Sequence, residues 1–339
     1  MTTTTSLDGL VRRAADRLAA KRRGAVAVGA ILGEETAMHG ADPGTLFEIG
    51  SISKTFTSLA LARLVVRGEA ALDQPLRDLL PEGTAVPRRD GGEIELVHLA
   101  CHTSGLPKLP RGLLPRGLFS SDPYAGCTPG MLLEGLGRTR LRSAPGRRFR
   151  YSNLGAGLLG LALARRAAGG TGSGTDYDEL VQAEICRPLG MADTGVALDA
   201  DRTARLAPGH SRLGRPRPRW NLAALAGAGG LHSTVPDLLR LARTQFGDAP
   251  DGLAEAVALT HATGHRITGG ATVRPGWIEL RQPPGRGEHR TLFHNGGTGG
   301  YRSLLAVSPE RRAAVVVLGA DARSPDRVGM DLLAELAAR

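Results

Sequence analysis

The order of strand-like and helix-like segments predicts an α/β chain of the α+β kind, with one lobe built from the two ends of the sequence and a mostly helical lobe inserted between them. Three observations carry this. Short apolar runs with strand character sit near the N-terminus and fill the last quarter of the chain. The middle reads as helices separated by long Gly/Pro-rich loops. An amphipathic helix opens the chain and another closes it.

Taken in order, Leu7, Leu10, Val11, Ala14, Ala15 and Leu18 recur at helical spacing, and the pattern stops at Lys21-Arg22-Arg23-Gly24. Ala25 to Leu32 is a continuous apolar run and reads as a buried strand. A second strand from about Thr45 to Ile49 leads into a helix that starts near Ser51 and continues to Gly68. From there to about residue 264 helices alternate with irregular stretches, among them Pro107 to Gly130, Gly169 to Gly174 and Arg215 to Arg219. Trp277 to Arg281, Arg290 to His294, Arg302 to Ser308 and Ala313 to Leu318 are strand candidates. Ser308-Pro309-Glu310-Arg311 makes a tight turn between the last two, and Val328 to Ala338 forms the closing helix. This places residues 1–60 and 265–339 in the α/β lobe and residues 61–264 in the helical lobe, together one domain.

A chain of 339 residues with 41% hydrophobic and 22% charged residues buries a substantial core. The net charge is +10, but the arginines are scattered in pairs such as Arg12-Arg13, Arg147-Arg148 and Arg311-Arg312. Aromatic residues make up only 4%, so the interleaved basic and aromatic surface that grips nucleic acid is missing. The charge reads as arginine on solvated faces, with attraction of an anionic substrate or acidic partner as the alternative. Met1 to Ser6 lacks the cationic start, apolar centre and cleavage site of a signal peptide, and no apolar run is long enough to span a membrane. Cys101, Cys127 and Cys186 are odd in number and lack metal or redox spacing. A cytoplasmic, reduced protein without membrane contact is the expectation. The histidines form no spaced ligand set, and the glycines after His294 lack a Gly-Lys-Ser/Thr ending, so neither metal nor cofactor is expected.

Chemistry enters at Phe47-Glu48-Ile49-Gly50-Ser51-Ile52-Ser53-Lys54. Ser51 and Lys54 lie about one helical turn apart on one face. A hydroxyl becomes a good nucleophile when a base takes its proton, and a desolvated, neutral lysine amine is such a base. The chain holds 43 Lys+Arg, of which only Lys21, Lys54 and Lys108 are lysine. Arginine keeps its proton in proteins and lysine can lose one, so lysine at position 54 marks a task arginine cannot perform. The spacing alone also fits a helix N-cap at Ser51.

Further stretches complete the set. Ala144 to Asn153 places Tyr151 and Asn153 two residues apart in a loop that enters a helix from Leu154. His294-Asn295-Gly296-Gly297 follows a strand, and its glycines allow close approach of a ligand to the backbone. His102 to Pro107, Pro188 to Met191, Gly229 to Thr234 and Gly276-Trp277 complete an ordered series from about residue 25 to 320. This series resembles the serine β-lactamase and penicillin-binding-protein superfamily, on its class C and D-alanyl-D-alanine carboxypeptidase-like branch, which also holds esterases and acyltransferases.

The resemblance implies a β-lactamase-like fold, an antiparallel sheet flanked by N- and C-terminal helices. It makes Ser51 the nucleophile that becomes acylated, Lys54 its proton partner, and Tyr151 the general base or proton shuttle. Asn153 is expected to hydrogen-bond Lys54 or the substrate's amide. The backbone N–H groups of Ser51 and Gly297 would form the oxyanion hole. His294, Asn295 and Gly296 stand where β-lactamases carry Lys-Thr-Gly to bind the substrate carboxylate. A neutral histidine weakens such binding, so efficient β-lactam hydrolysis is not expected. Read as residues alone, Tyr151 and His294 also fit structural aromatics, and His102 fits loop packing. Adjacent residues seldom face each other, so Cys101 is not a nucleophile activated by His102.

The expected function is therefore a serine acyl-enzyme catalyst acting on a small ester, thioester or amide. The acyl group would pass to water or, in natural-product biosynthesis, to an amine or alcohol, with a carrier protein as possible donor. A D-alanyl-D-alanine carboxypeptidase and a non-catalytic binding module are the alternatives. The Pro107–Gly130 loop and the Arg215–Arg219 segment are candidates for shaping the donor and acceptor sites.

Overall fold

The computed structural model describes residues 6–111, 113, 121–169, 174–250, 252–281 and 289–339. Parts of the predicted Pro107–Gly130 and Gly169–Gly174 loops lie outside the described residues.

An eight-stranded antiparallel sheet forms the centre. Its strands are β1 (Val26–Leu32), β2 (Glu35–Gly40), β5 (His265–Arg266), β6 (Ala271–Arg274), β7 (Trp277–Arg281), β8 (Arg290–Gly297), β9 (Arg302–Ser308) and β10 (Ala313–Gly319). They are ordered β2-β1-β10-β9-β8-β7-β6-β5, so the N-terminal strand pairs with the last one. β1 and β10 are continuous apolar runs because both faces of the sheet are covered. Val26, Val28, Ala30, Val315 and Val317 pack against α1 (Leu7–Ala19) and α6 (Asp326–Ala337). Their alternating neighbours Ala27, Ile31, Ala314, Val316 and Leu318 join the larger core on the opposite face. Ser6 caps α1 by accepting the Gly9 N–H.

The larger core is organised around α2 (Ser53–Val66), in which every residue from Ser53 to Ala62 is buried. A helix covered all round is the centre of its lobe. α3 (Asn153–Ala167), α4 (Ala226–Gly229) and the helix Leu253–Ala262 pack on α2, while α5 (Val235–Thr244) covers the sheet. α3 and α4 meet backbone to backbone: a Cβ on Gly160 would sit 2.9 Å from Gly227 Cα. α5 lies on the sheet, where a Cβ on Gly29 would be 2.4 Å from Val235 Cγ1.

The sequence-based strands near the C-terminus are present, with Arg290–His294 extended to Gly297 and Ala313–Leu318 to Gly319. Thr45–Ile49 shrinks to β3 (Phe47–Glu48), which pairs with β4 (His232–Ser233) and not with the main sheet. β2, β5 and β6 were not anticipated. β2 is a mostly exposed edge strand without an apolar run, and β5 and β6 are short. Residue 60 falls inside α2, and the larger hydrophobic cluster runs from the sheet into the helices without a break.

Candidate active site

Gly50–Ile52 forms one 3₁₀ turn that runs directly into α2. Ser51 is not the N-cap of α2; that position is Ile52, without a side-chain hydrogen bond. The Ser51 hydroxyl is instead held from two sides. Lys54 Nζ lies 2.9 Å from Ser51 Oγ, and the Tyr151 hydroxyl donates to the same oxygen at 2.8 Å.

Lys54 is 2% exposed, and burial, assisted by the charge of Lys108, pulls its pKa down to about 7. It donates to the Ala228 carbonyl at 2.5 Å and lies 4.9 Å from the centre of the Tyr151 ring. Among the described residues no carboxylate pairs with it, so burial leaves its proton loosely held. Burial pushes the Tyr151 phenol up to about 12, against a smaller opposing effect of its bond to Ser51. At neutral pH the cluster therefore combines a protonated phenol with an amine close to half-protonated.

The loop carrying Tyr151 is fixed by His102. The Arg150 N–H donates to the His102 carbonyl at 2.7 Å, and the Ser152 N–H to His102 Nδ1 at 3.3 Å. The His102 ring lies 4.5 Å from that of Tyr151, and burial keeps it neutral. Its backbone is left-handed, with φ of 54°, a conformation a non-glycine residue adopts only under constraint. His102 thus packs the loop, as one reading of the sequence had it. Ser152 caps α3 by accepting the Gly155 N–H at 2.9 Å.

Asn153 does not bond Lys54. Its Nδ2 faces the Tyr124 hydroxyl at 3.4 Å, and its buried Oδ1 has no partner among the described residues. The first of the two expected roles is corrected: the Ala228 carbonyl on α4 occupies the acceptor position beside Lys54.

Strand alternation divides the His294-Asn295-Gly296 motif. His294 is buried on the Tyr151 side, its ring 6.3 Å from that of Tyr151 and its Nδ1 2.7 Å from the Asn295 carbonyl. Burial, followed by the nearby Lys54 charge, pushes its pKa down to about 3, so it carries no charge at neutral pH. Asn295 points to the other face, is exposed, and donates to Asp326 Oδ2 at 2.7 Å at the start of α6. It does not share the face of His294, because a neighbour of an inward-facing strand residue faces outward.

Gly296 and Gly297 bring β8 against the 3₁₀ turn. A Cβ on Gly296 would lie 2.0 Å from the Ile49 carbonyl oxygen, which already accepts from Ser303 Oγ at 2.8 Å. A Cβ on Gly50, whose φ is +52°, would lie 2.6 Å from Gly297 N. The backbone of Gly297 therefore flanks the turn that carries Ser51. Gly276 makes a similar approach on the far side: its Cβ would meet Thr55 Cα at 2.7 Å. The three cysteines are buried and free, and burial pushes the Cys101 thiol up to about 12. Two partners escaped the sequence reading. Ala228 acts through a backbone carbonyl and Tyr124 through a contact remote in sequence; only the Ala226–Gly230 run of small residues hinted at close packing.

No described helix is long and apolar enough to cross a membrane. In comparisons with known proteins, the family model described as Beta-lactamase matches residues 10–339. The chain is 31% identical over 286 residues to the D-alanyl-D-alanine-carboxypeptidase/endopeptidase AmpH of Escherichia coli (strain K12), covering 81% of this chain and 70% of that protein. It is 32% identical over 271 residues to esterase EstB of Burkholderia gladioli, covering 69% of this chain and 65% of that one. A solved Beta-lactamase/D-alanine carboxypeptidase from Yersinia pestis matches with a TM-score of 0.79 at 27% identity, over 98% of this chain and 99% of that chain. Since the family match starts within α1 and ends at the last residue, this chain belongs to the Beta-lactamase family.

Proposed function

We propose that the protein is an acyl-enzyme hydrolase in which Ser51 attacks the carbonyl of an ester or amide. The observation that carries this is the Ser51 hydroxyl held between Lys54 Nζ at 2.9 Å and the Tyr151 hydroxyl at 2.8 Å. Lys54, with a pKa near 7, takes the Ser51 proton as the new C–O bond forms. The negative charge on the carbonyl oxygen is stabilised by the N–H groups of Ser51 and Gly297. As the bond to the leaving group breaks, the proton passes from Lys54 through the Tyr151 hydroxyl to that group, leaving acyl-Ser51. Water then repeats the cycle, giving its proton to the same pair and releasing the acid. Asn153 presents its free Oδ1 to the substrate's amide N–H, and His294 shapes the wall beside Tyr151 without adding charge.

The names of two relatives, a carboxypeptidase/endopeptidase and an esterase, support acyl chemistry on amides and esters. Transfer to an amine or alcohol uses the same intermediate, and added amine diverts the product from acid to amide if it operates. The direct test is a fluorophosphonate probe read by intact mass. One adduct is expected on the native protein and none on Ser51→Ala; an undiminished adduct on the variant overturns the assignment. With His294 neutral, a chromogenic cephalosporin is expected to turn over far more slowly than an activated ester.

A further inference from the structure

A cavity of about 560 Å³ opens at Thr298 and Gly299, the two residues that follow Gly297. Arg212, Arg215, Arg217 and Arg302 line its wall, and among the described residues no acidic residue does. Trp220 lines it beside Gly299, where a Cβ on Gly299 would lie 2.6 Å from Trp220 Nε1. Its Nε1–H donates to the Ser121 carbonyl at 2.9 Å, and its ring lies 5.2 Å from that of Tyr124, the partner of Asn153.

The charges facing this cavity are unbalanced. Among the described residues, the guanidinium groups of Arg212, Arg215 and Arg217 form no hydrogen bond or ion pair, although the surface elsewhere pairs arginines freely with acids. Arg302 is turned inward on the Thr298 and Tyr301 carbonyls at 2.7 Å each. Of the nearby acids, Asp321 pairs with Arg22, and Asp321 and Asp326 both act on the charge of Arg302, while Asp122 accepts from the Tyr124 and Asn221 N–H groups; among the described residues none of them pairs with Arg212, Arg215 or Arg217. Glu48 accepts from the Trp220 N–H at the base of the same segment. A concave wall of one sign concentrates ligands of the opposite sign, and guanidinium forks suit carboxylate, sulfonate and phosphate groups.

We propose that this cavity is an anion subsite and that the enzyme's preferred substrates carry a negatively charged group on the side of the scissile carbonyl that faces Gly297 and Trp220. The subsite rests on Ser51 being the acylated residue.

The test compares kcat/KM for matched activated esters. One arm sets 4-nitrophenyl hydrogen glutarate against 4-nitrophenyl butyrate, placing the charge on the acyl group. The other sets the butyryl ester of 4-hydroxybenzenesulfonate against that of 4-hydroxyphenyl methyl sulfone, placing it on the leaving group. In one arm the anionic ester is expected to be preferred by about ten-fold at low salt, the preference shrinking as salt is raised. In Arg215→Ala/Arg217→Ala the anionic-to-neutral ratio falls toward one, and Arg215→Lys/Arg217→Lys retains part of it. Equal turnover of charged and neutral esters in both arms, or a preference that survives the alanine pair, overturns the subsite. Loss of fluorophosphonate labelling at Ser51 overturns the acyl-enzyme reading instead, so the two failures are distinguishable.

Discussion

In the proposed mechanism Lys54 serves as the base because burial loosens its proton. An exposed lysine holds its proton well above neutral pH; here desolvation without a carboxylate partner brings the pKa to about 7. Below that value Lys54 is protonated and cannot accept the Ser51 proton. The kcat/KM of an activated ester is therefore expected to fall as pH drops through about 7, measured as a pH–rate profile. Lys54→Arg keeps a cation that does not deprotonate, and a loss of roughly 10²–10⁴-fold in kcat/KM is expected. Near-native activity in that variant would remove Lys54 from the role of base. Tyr151, pushed up to about 12, keeps its proton over the same range, which in the proposed mechanism leaves it as the donor. His294 is held neutral by burial and by proximity to Lys54, so it does not reproduce the lysine that β-lactamases carry there.

At the scale of elements, the candidate site depends on β8 pressing against the Gly50–Ile52 turn. Gly50 combines a left-handed φ with a Cβ position 2.6 Å from Gly297 N. Gly50→Ala is expected to cost about 1–3 kcal/mol in backbone strain alone. It should also lower kcat/KM by separating Ser51 from Gly297, as denaturant melts and ester kinetics would report together. Glu48, on β3, sits behind this seam. It is buried, accepts from the Trp220 N–H at 2.9 Å, and pairs across the ladder with neutral His232. Burial raises the Glu48 pKa from 4.5 to about 7. As pH rises from about 4.5 to 7 the unfolded chain ionises while the folded one resists, so stability falls across that window and stays lower above it. Thermal melts at pH 5 and pH 8 should therefore differ less in Glu48→Gln than in the native protein.

At the scale of the molecule, the two chain ends are joined by more than β1 and β10. Arg22, just after α1, forms an ion pair with Asp321, just after β10, with both side chains 3% exposed. Removing one partner of a buried pair leaves an uncompensated charge, so Asp321→Ala is expected to cost about 3–5 kcal/mol by chemical denaturation. The predicted union of the termini followed from apolar runs at both ends, since a strand buried on both faces writes an unbroken hydrophobic segment. The edge strand β2 leaves no such mark, because four of its six residues are exposed and none is buried. The covering helices α1 and α6 were legible from their periodicity, and α2 from its length and apolar content. The join between the lobes was not legible, because the core crosses it with side chains far apart in sequence.

By itself the sequence determined the α/β organisation and the single lysine at Ser-x-x-Lys, because helical and strand periodicities, and the rarity of lysine in an arginine-rich chain, are local properties. The grouping of Tyr151 and His294 with Ser51 and Lys54 came from the resemblance to a known superfamily. Tertiary structure alone decided that Ala228, and not Asn153, faces Lys54. It also decided that Asn295 turns away from His294, and that the arginines near residue 215 line a cavity beside Gly297. Those outcomes depend on which surfaces meet when distant segments pack. The loosely held proton of Lys54 likewise exists only after the chain has removed water from around it.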